Sequence, residues 1–357
     1  MILRPEEISL AREYTRAVPM ESLTPRQMKL IMDRGRDLHR WYKQHTAVHY
    51  LINLCVIAVL LGGDFLILMR LPGLWLHAGV AASPGRVVLA SLVCGGLHSW
   101  WLYSLTVFSM HEGAAHGIVF PGANRWSRVL NWFASNICRI AASEPGYYAE
   151  HHMSHHAKFG TEGDGEFLNF VQPRRYWLTL LPFAAMLNYT DFIAHRPPRY
   201  TRGRIASAIV AVSYHALYGV WMSQQWGIVF TALAFGLFLP HVGFFLDRLR
   251  QYTEHNLMPL ENKDGSRSFG YGFWGILIGG GPWGSPCHWE HHLVASLPWY
   301  QQLALHRYVK SLLTRAQKEQ FLLEPVTGYP RLLWRLLREP VRFQRRLARQ
   351  DARGAAS

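Results

Sequence analysis

The sequence has little cysteine and no cysteine motif that would hold a metal cluster or a haem. The chain of 357 residues has four cysteines, and none lies in a CxxC pair. This scarcity argues against a disulfide framework, a zinc–thiolate site and an iron–sulfur cluster. No haem-attachment motif is present either, so any redox reaction needs an external electron donor. Cys55 and Cys94 fall in apolar runs, and we expect both to be buried thiols.

The chain also has fewer acidic than basic residues. The chain has 23 Asp and Glu against 37 Lys and Arg, which gives a formal net charge of +14. The basic residues lie at the ends of the chain and beside apolar stretches, a distribution typical of contact with anionic lipid headgroups, and we expect no nucleic-acid partner. The N-terminal residues are polar, and we expect no cleavable signal peptide.

Long apolar runs are present and predict membrane spans. A hydrocarbon core of about 30 Å requires roughly 20 apolar residues in a helix. Basic residues are concentrated before residue 46, in 111–204 and after 247, which predicts that both termini are cytosolic. Only Ser223–Gln225 separate the last two runs, which predicts a tight hairpin. The four runs are 47–69, 87–110, 205–222 and 226–246.

The remaining segments complete the predicted organisation. The weaker apolar stretches 176–193 and 272–284 are interpreted as interfacial or re-entrant elements. We predict a cytosolic segment over 1–46, a membrane domain over 47–320 and a basic tail over 321–357. Within the tail, Arg335–Arg353 alternates Arg with apolar residues, which is typical of a surface amphipathic helix or a frayed end. The predicted fold class is all-α: four transmembrane helices in two hairpins, with a helical cytosolic cap that holds a di-metal site.

Histidine is abundant, with 19 residues, and eight of them form three clusters. Residues at i, i+3 and i+4 share one face of a helix, so each HxxHH motif places three imidazoles on one stripe. Two such motifs arise by chance in a chain of this composition in about one case in a thousand. The first cluster, HEGAAH, has a spacing of five, and we expect its histidines to converge if the helix ends there. The clusters are His111 with His116, His152 with His155 and His156, and His288 with His291 and His292.

Eight histidines exceed what one tetrahedral zinc ion can use, so the clusters indicate two metal ions. Imidazole binds iron, copper, zinc and nickel alike, so the ligand type alone does not select the metal. The position of the clusters just beyond the apolar runs favours redox chemistry on an apolar chain, which requires iron or copper.

The three clusters, together with the LVASLPWYQQL sequence that begins at Leu293, resemble the histidine boxes of the membrane fatty acid desaturase and hydroxylase superfamily. The resemblance covers roughly residues 47–310. It implies two iron ions, dioxygen as co-substrate, an acyl or other lipid substrate, and the eight clustered histidines as ligands. It also implies a ninth ligand, His255, because relatives often carry an extra histidine ahead of the last box.

Other histidines are expected to have different roles. His151 precedes the second box without a spacing argument, and we expect it to lie outside the metal coordination. His98, His215 and His241 lie within spans, where polar groups usually face the bundle interior. They are expected to be hydrogen-bonded core or tunnel residues. No particular role is predicted for His39, His45, His49, His77, His195 and His306.

Acidic residues next to the boxes are candidates for holding the ligands in place. A metal-binding histidine usually donates its second ring N–H to a carboxylate or carbonyl oxygen. Tryptophans near the boxes could line a substrate channel or lie at the membrane interface. The acidic candidates are Glu112, Glu150, Asp164, Glu166, Glu254 and Glu290, and the tryptophans are Trp100, Trp101, Trp283 and Trp289.

These features predict a membrane-bound di-iron oxidoreductase that desaturates a fatty acyl or lipid chain. A hydroxylase or ketolase acting on a lipid, sterol or carotenoid would use the same boxes. A metal transporter would place its ligands mid-span, and a zinc hydrolase would use HExxH, one residue shorter than HEGAAH. Electrons would come from a ferredoxin, rubredoxin or cytochrome, received by basic residues near the site: Lys158, Arg174, Arg175, Arg248 and Arg250.

Overall fold

The computed structural model describes most of the chain as helix. The described residues are 21–76, 83–122, 124–137, 145–161, 201–256, 265–283, 285–323 and 328–336, with the single positions 13, 163, 164, 166, 258 and 338. Within these ranges the one β pairing is an isolated bridge between Ser268 and Leu322. The all-α prediction is therefore confirmed. The predicted element at 176–193, Arg174, Arg175 and Cys138 lie outside the described residues, as does most of Arg335–Arg353.

Eleven helices follow one another along the described residues. Two of them change hydrogen-bonding pattern along their length: α3 is α-helical over Pro84–Thr106 and π-helical over Val107–Ala115, and α7 contains a π-helical segment, Ala232–Phe238. The helices are α1 Pro25–Gln44, α2 Thr46–Met69, α3 Pro84–Ala115, α4 Arg125–Ile137, α5 Pro145–Lys158, α6 Arg202–Trp226, α7 Ile228–His255, α8 Phe273–Ile278, α9 His288–Leu293, α10 Trp299–Leu312 and α11 Arg315–Phe321.

Four of these helices are long and apolar enough to cross a membrane: α2, α3, α6 and α7. Their outer faces expose large apolar side chains, among them Leu51, Val59, Val212 and Leu217. Exposed apolar side chains on helices of this length are the surface that lipid covers in a membrane protein. The chain is therefore a membrane protein with four spans, as the sequence predicted.

The predicted turn between the last two spans is misplaced. Ser223–Gln225 belong to α6, which continues to Trp226, and the chain reverses at Gly227. Gly227 has φ 90°, a conformation that glycine adopts at no steric cost and that ends a helix within one residue. The indole nitrogen of Trp226 donates to the carbonyl of Leu68 at 3.0 Å and ties this hairpin to α2.

The cysteine prediction holds for one thiol and fails for the other. Cys94 is buried, whereas Cys55 is exposed. An apolar run in a membrane helix has one face toward lipid, so an apolar neighbourhood in sequence does not imply burial in protein.

The segment 272–284 forms a short helix, α8, and not a fifth span. It packs on α3, because Trp100 donates to the carbonyl of Leu277 at 2.9 Å and Tyr103 donates to that of Ile278 at 2.7 Å. The residues Gly270–Gly275 have the GxGxxG spacing of a nucleotide-binding turn, but no strand precedes them in the described chain.

A second apolar core lies in the cap, outside the spans. It joins α1, α9, α10 and α11 through Ile31, Trp289, Leu305 and Phe321. Trp289 stacks on Phe321 with ring centroids 4.2 Å apart, so it packs the cap around the last histidine box. Helix α1 is therefore part of the framework that positions this box.

Candidate metal centre

The first histidine pair depends on the π-helical end of α3. The amide of His116 donates to the carbonyl of His111 at 3.2 Å, the i→i+5 bond that defines a π turn. The wider turn holds residues five apart near one face, and the two ring centroids lie 5.2 Å apart. The two histidines converge as expected: the helix ends at Ala115, between them, and its last turn is widened.

Five histidines from three helices, α3, α5 and α9, converge on one point. Their ring nitrogens all lie within 4.8 Å of one another. The Nε2 atoms of His111 and His291 are 2.9 Å apart, and the Nε2 of His156 is 3.0 Å from that of His291. The group consists of His111, His116, His152, His156 and His291.

Four further histidines form a second group beside the first. The Nε2 of His288 lies 2.7 Å from that of His255 and 3.0 Å from that of His292. The Nε2 of His155 lies 3.2 Å from that of His292. His155 and His156 are sequence neighbours in different groups, as are His291 and His292. The group consists of His155, His255, His288 and His292.

The spacing of the nitrogens suits metal coordination. Two imidazole nitrogens bound at about 2.1 Å from one ion and at right angles lie about 3.0 Å apart. The observed separations within each group match that value. Neutral imidazole is the form that ligates a metal, and several Nε2 atoms facing one another have few protons to share as hydrogen bonds. Both groups therefore fit a metal ion.

Carboxylates fix two of the imidazoles from behind. The Nδ1 of His155 lies 3.0 Å from both carboxylate oxygens of Asp164, which also accept from the amides of Gly160 and Glu166. The Nδ1 of His152 lies 3.0 Å from the Oε1 of Glu166. Such bonds fix the tautomer and leave Nε2 to face the other imidazoles of its group.

Other groups orient the second set of imidazoles. The Nδ1 of His288 is 3.1 Å from the hydroxyl of Ser285, and the Nδ1 of His255 is 3.4 Å from the carbonyl of Gly265. Glu254 accepts from the guanidinium of Arg250 at 3.2 Å and lies 3.5 Å from the Nε2 of His288.

The electrostatics keep most of the cap histidines neutral. Burial lowers the pKa of His116 to about 2 and lowers the pKa values of His156, His288, His291 and His292, with neighbouring imidazoles adding to the effect. Burial alone would lower the pKa of His155 too, but the carboxylates of Glu166 and Asp164 raise it.

Only some of the acidic residues predicted to hold the ligands lie next to the histidine groups. Asp164, Glu166 and Glu254 lie against the histidine groups. Glu112 is buried and accepts a hydrogen bond from Gln302 at 3.3 Å. Glu150 accepts from Arg204 at 2.9 Å, and its side chain is 65% exposed.

Glu290 holds a residue for which the sequence predicted no role. Its Oε1 accepts from the Nδ1 of His306 at 2.7 Å, and its Oε2 accepts from the hydroxyl of Ser268. Cys287 lies beside this pair, so the three form a buried cluster behind α9. Because the carboxylate and the imidazole already bond to each other, this cluster is a hydrogen-bond network that supports the box.

A second missed network links α2 to the boxes. The Nδ1 of His49 lies 3.0 Å from the hydroxyl of Tyr300, and its Nε2 bonds to the carbonyl of Ile118. Asn53 donates to the carbonyl of Val119 at 2.8 Å. The two contacts with backbone carbonyls hold the segment after His116, and no spacing of residues in the sequence predicts them.

His151 is buried beside the second box but belongs to neither histidine group. Its ring packs edge-on against Tyr147 at 4.2 Å, away from the converging nitrogens. Trp101 donates to the carbonyl of Leu60 and joins α3 to α2.

The sequence matches the family model for fatty acid desaturases over residues 83–324, a range that holds all nine histidines. The chain belongs to the fatty acid desaturase family, which implies metal-dependent oxidoreductase activity and a lipid substrate. No curated protein and no solved structure matched the chain.

Proposed function

We propose that this protein is a di-iron, dioxygen-dependent enzyme that desaturates a fatty acyl or lipid chain. The observation that carries the proposal is the pair of adjacent histidine groups, five imidazoles in one and four in the other. All nine are proposed as iron ligands. Imidazole is a good ligand for iron, and two groups imply one iron in each.

The protein residues have three roles in this proposal. The ends of α3 and α7 carry His111 and His255 directly from the membrane into the cap, so an apolar chain reaches the site without crossing water. Asp164 and Glu166 hold imidazoles in the tautomer that presents Nε2. Six of the nine histidines are buried and the other three are partly buried, which limits the access of bulk water to the centre. When bound, the iron pair supplies dioxygen activation and hydrogen abstraction from a C–H bond.

Electrons come from a separate carrier protein in this proposal, and the cap and both termini face the cytosol. Lys158 and Arg248 remain candidates for an electrostatic docking surface. Arg250 does not belong to this surface, because it is buried and paired with Asp247 at 3.1 Å and with Glu254.

The test combines metal analysis with product analysis. Protein made with ample iron should contain close to two irons per chain, and lipids from expressing cells should show a species that has lost two hydrogens. The matched control is the His156→Ala variant, which should lack both iron and product. Protein that carries a single zinc ion and no iron would refute the proposal. A product that gains an oxygen atom would instead assign a hydroxylase.

A further inference from the structure

Two ionisable side chains meet in the interior of the membrane bundle, away from the metal centre. The Nδ1 of His98, on α3, lies 2.5 Å from the Oδ1 of Asp64, on α2. Both side chains are buried, at 1% and 7% exposure. Ionisable residues inside a bilayer are costly and mark functional sites when they occur.

His98 has a second ring nitrogen that this contact leaves unused. Among the described residues, the buried Nε2 of His98 has no hydrogen-bond partner. The hydrogen bond between Nδ1 and Asp64 is enough to link α2 to α3. This link does not explain why a second polar atom, Nε2, is buried beside it. A buried polar atom without a partner carries a free-energy cost, which a ligand can remove.

The surroundings of His98 connect it to the apolar core near the metal centre. Its ring stacks on Phe235 at 5.5 Å, in the π-helical segment of α7. Phe235 also packs against the apolar cluster that contains Leu102 and Phe108 of α3, together with Trp283. Irregular π segments in membrane helices frequently occur at functional sites.

The distance of the Asp64–His98 pair from the metal centre suits the end of a substrate chain that lies away from the reacting carbon. His98 lies thirteen residues before His111 on the same continuous helix. That separation corresponds to about 20 Å along the helix axis. A chain whose reacting carbon lies at the metal centre and whose tail follows α3 would bring its terminus to this depth.

We propose that Asp64 and His98 form a binding site for a hydroxyl group at the distal end of the substrate chain. A hydroxyl both donates and accepts, so it pairs with Nε2 whether the imidazole is neutral or protonated. This inference rests on the proposed function for its account of the substrate, but the site itself is testable without turnover.

The test measures binding to the full-length protein in lipid nanodiscs by displacement of a fluorescent fatty acid. The probes are a long-chain fatty acid with a terminal hydroxyl and the same acid without it. The hydroxylated chain should bind about tenfold more tightly, the gain typical of one hydrogen bond. Equal affinities in the wild-type protein would overturn the proposal, a result that needs no variant to fold.

Variants then assign the preference to the pair. The double variant Asp64→Leu/His98→Phe removes both polar groups and leaves no unpaired charge. It should bind both probes equally. Ser99→Ala is the matched control, because Ser99 is buried next to His98 but bonds only to the carbonyl of Gly95. It should keep the tenfold preference. Preference retained in the double variant would refute the site.

The same assay separates this inference from the proposed function. Protein stripped of metal by a chelator should still prefer the hydroxylated chain, since the pair lies far from the histidine groups. Absence of iron would therefore contradict the di-iron proposal. It would not affect the measured preference for the hydroxylated chain, which tests the Asp64–His98 site separately.

Discussion

His116 donates its backbone amide to the carbonyl of His111 across a π turn, and their imidazoles thereby lie on one side of the same helix. An α-helical backbone would rotate residues five apart away from each other. The local backbone pattern therefore decides whether the first box can supply two nitrogens to the five-histidine group.

Insertion of an alanine after Ala114 should remove the metal of the five-histidine group. The extra residue places the two histidines six positions apart, and an α-helical backbone puts such residues about 120° apart around the helix axis. Elemental analysis should show about one metal ion lost per chain. Gly113→Ala is the control, because an added Cβ would meet its nearest atoms at 3.6 Å, an ordinary contact. Full metal content after the insertion would contradict the role of the π turn.

Asp164→Asn should weaken metal binding at the four-histidine group. The side-chain NH2 of the asparagine would face the backbone amide of either Gly160 or Glu166, so one of these bonds is lost and His155 keeps one acceptor in place of two. Loss of such a partner typically reduces metal affinity by about 10–100-fold. Chelator titration measures the affinity, and Glu150→Gln, on the exposed face of the same region, should leave it unchanged. An unaltered affinity in Asp164→Asn would show that the carboxylate is dispensable.

His255→Ala should remove metal, and His151→Ala should retain most of it. The Nε2 of His255 faces that of His288 at 2.7 Å, whereas His151 packs against Tyr147 outside both groups. Metal content and turnover should fall together in His255→Ala. Normal iron occupancy in that variant would eliminate His255 as a ligand.

His306→Ala should destabilise the cap. It leaves the buried carboxylate of Glu290 without its cationic partner, and breaking a buried pair from one side costs about 3–5 kcal/mol. Thermal unfolding in detergent measures the loss. The double variant Glu290→Met/His306→Leu should lose less thermal stability than His306→Ala, because no unpaired charge remains in the cap. Equal losses would show that the pairing is not the cause.

Reporter fusions should place Gln224 on the opposite side of the membrane from both termini. This follows from four spans and from the basic residues that flank them. Fusions at Gln224, at the N-terminus and at Gln350 each give one readout. If all three report the same side, the four-span topology is wrong.

Sequence by itself determined the spans, the three boxes and the family resemblance, because each depends on local spacing. Apolar runs of sufficient length form membrane helices wherever they pack, and HxxHH places its imidazoles on one helical stripe in any context. The eight box histidines and His255 all appear in the two groups that the structure assembles.

Tertiary structure decided the rest, because it depends on which elements meet. HxxHH motifs do not reveal that His155 and His156 belong to different groups, or that His291 pairs across space with His111. Exposure of Cys55, the reversal at Gly227 and the bond from His306 to Glu290 likewise follow from packing. The partner of His98 is Asp64, 34 residues away on another span, and only the packing of α2 against α3 brings the two side chains together.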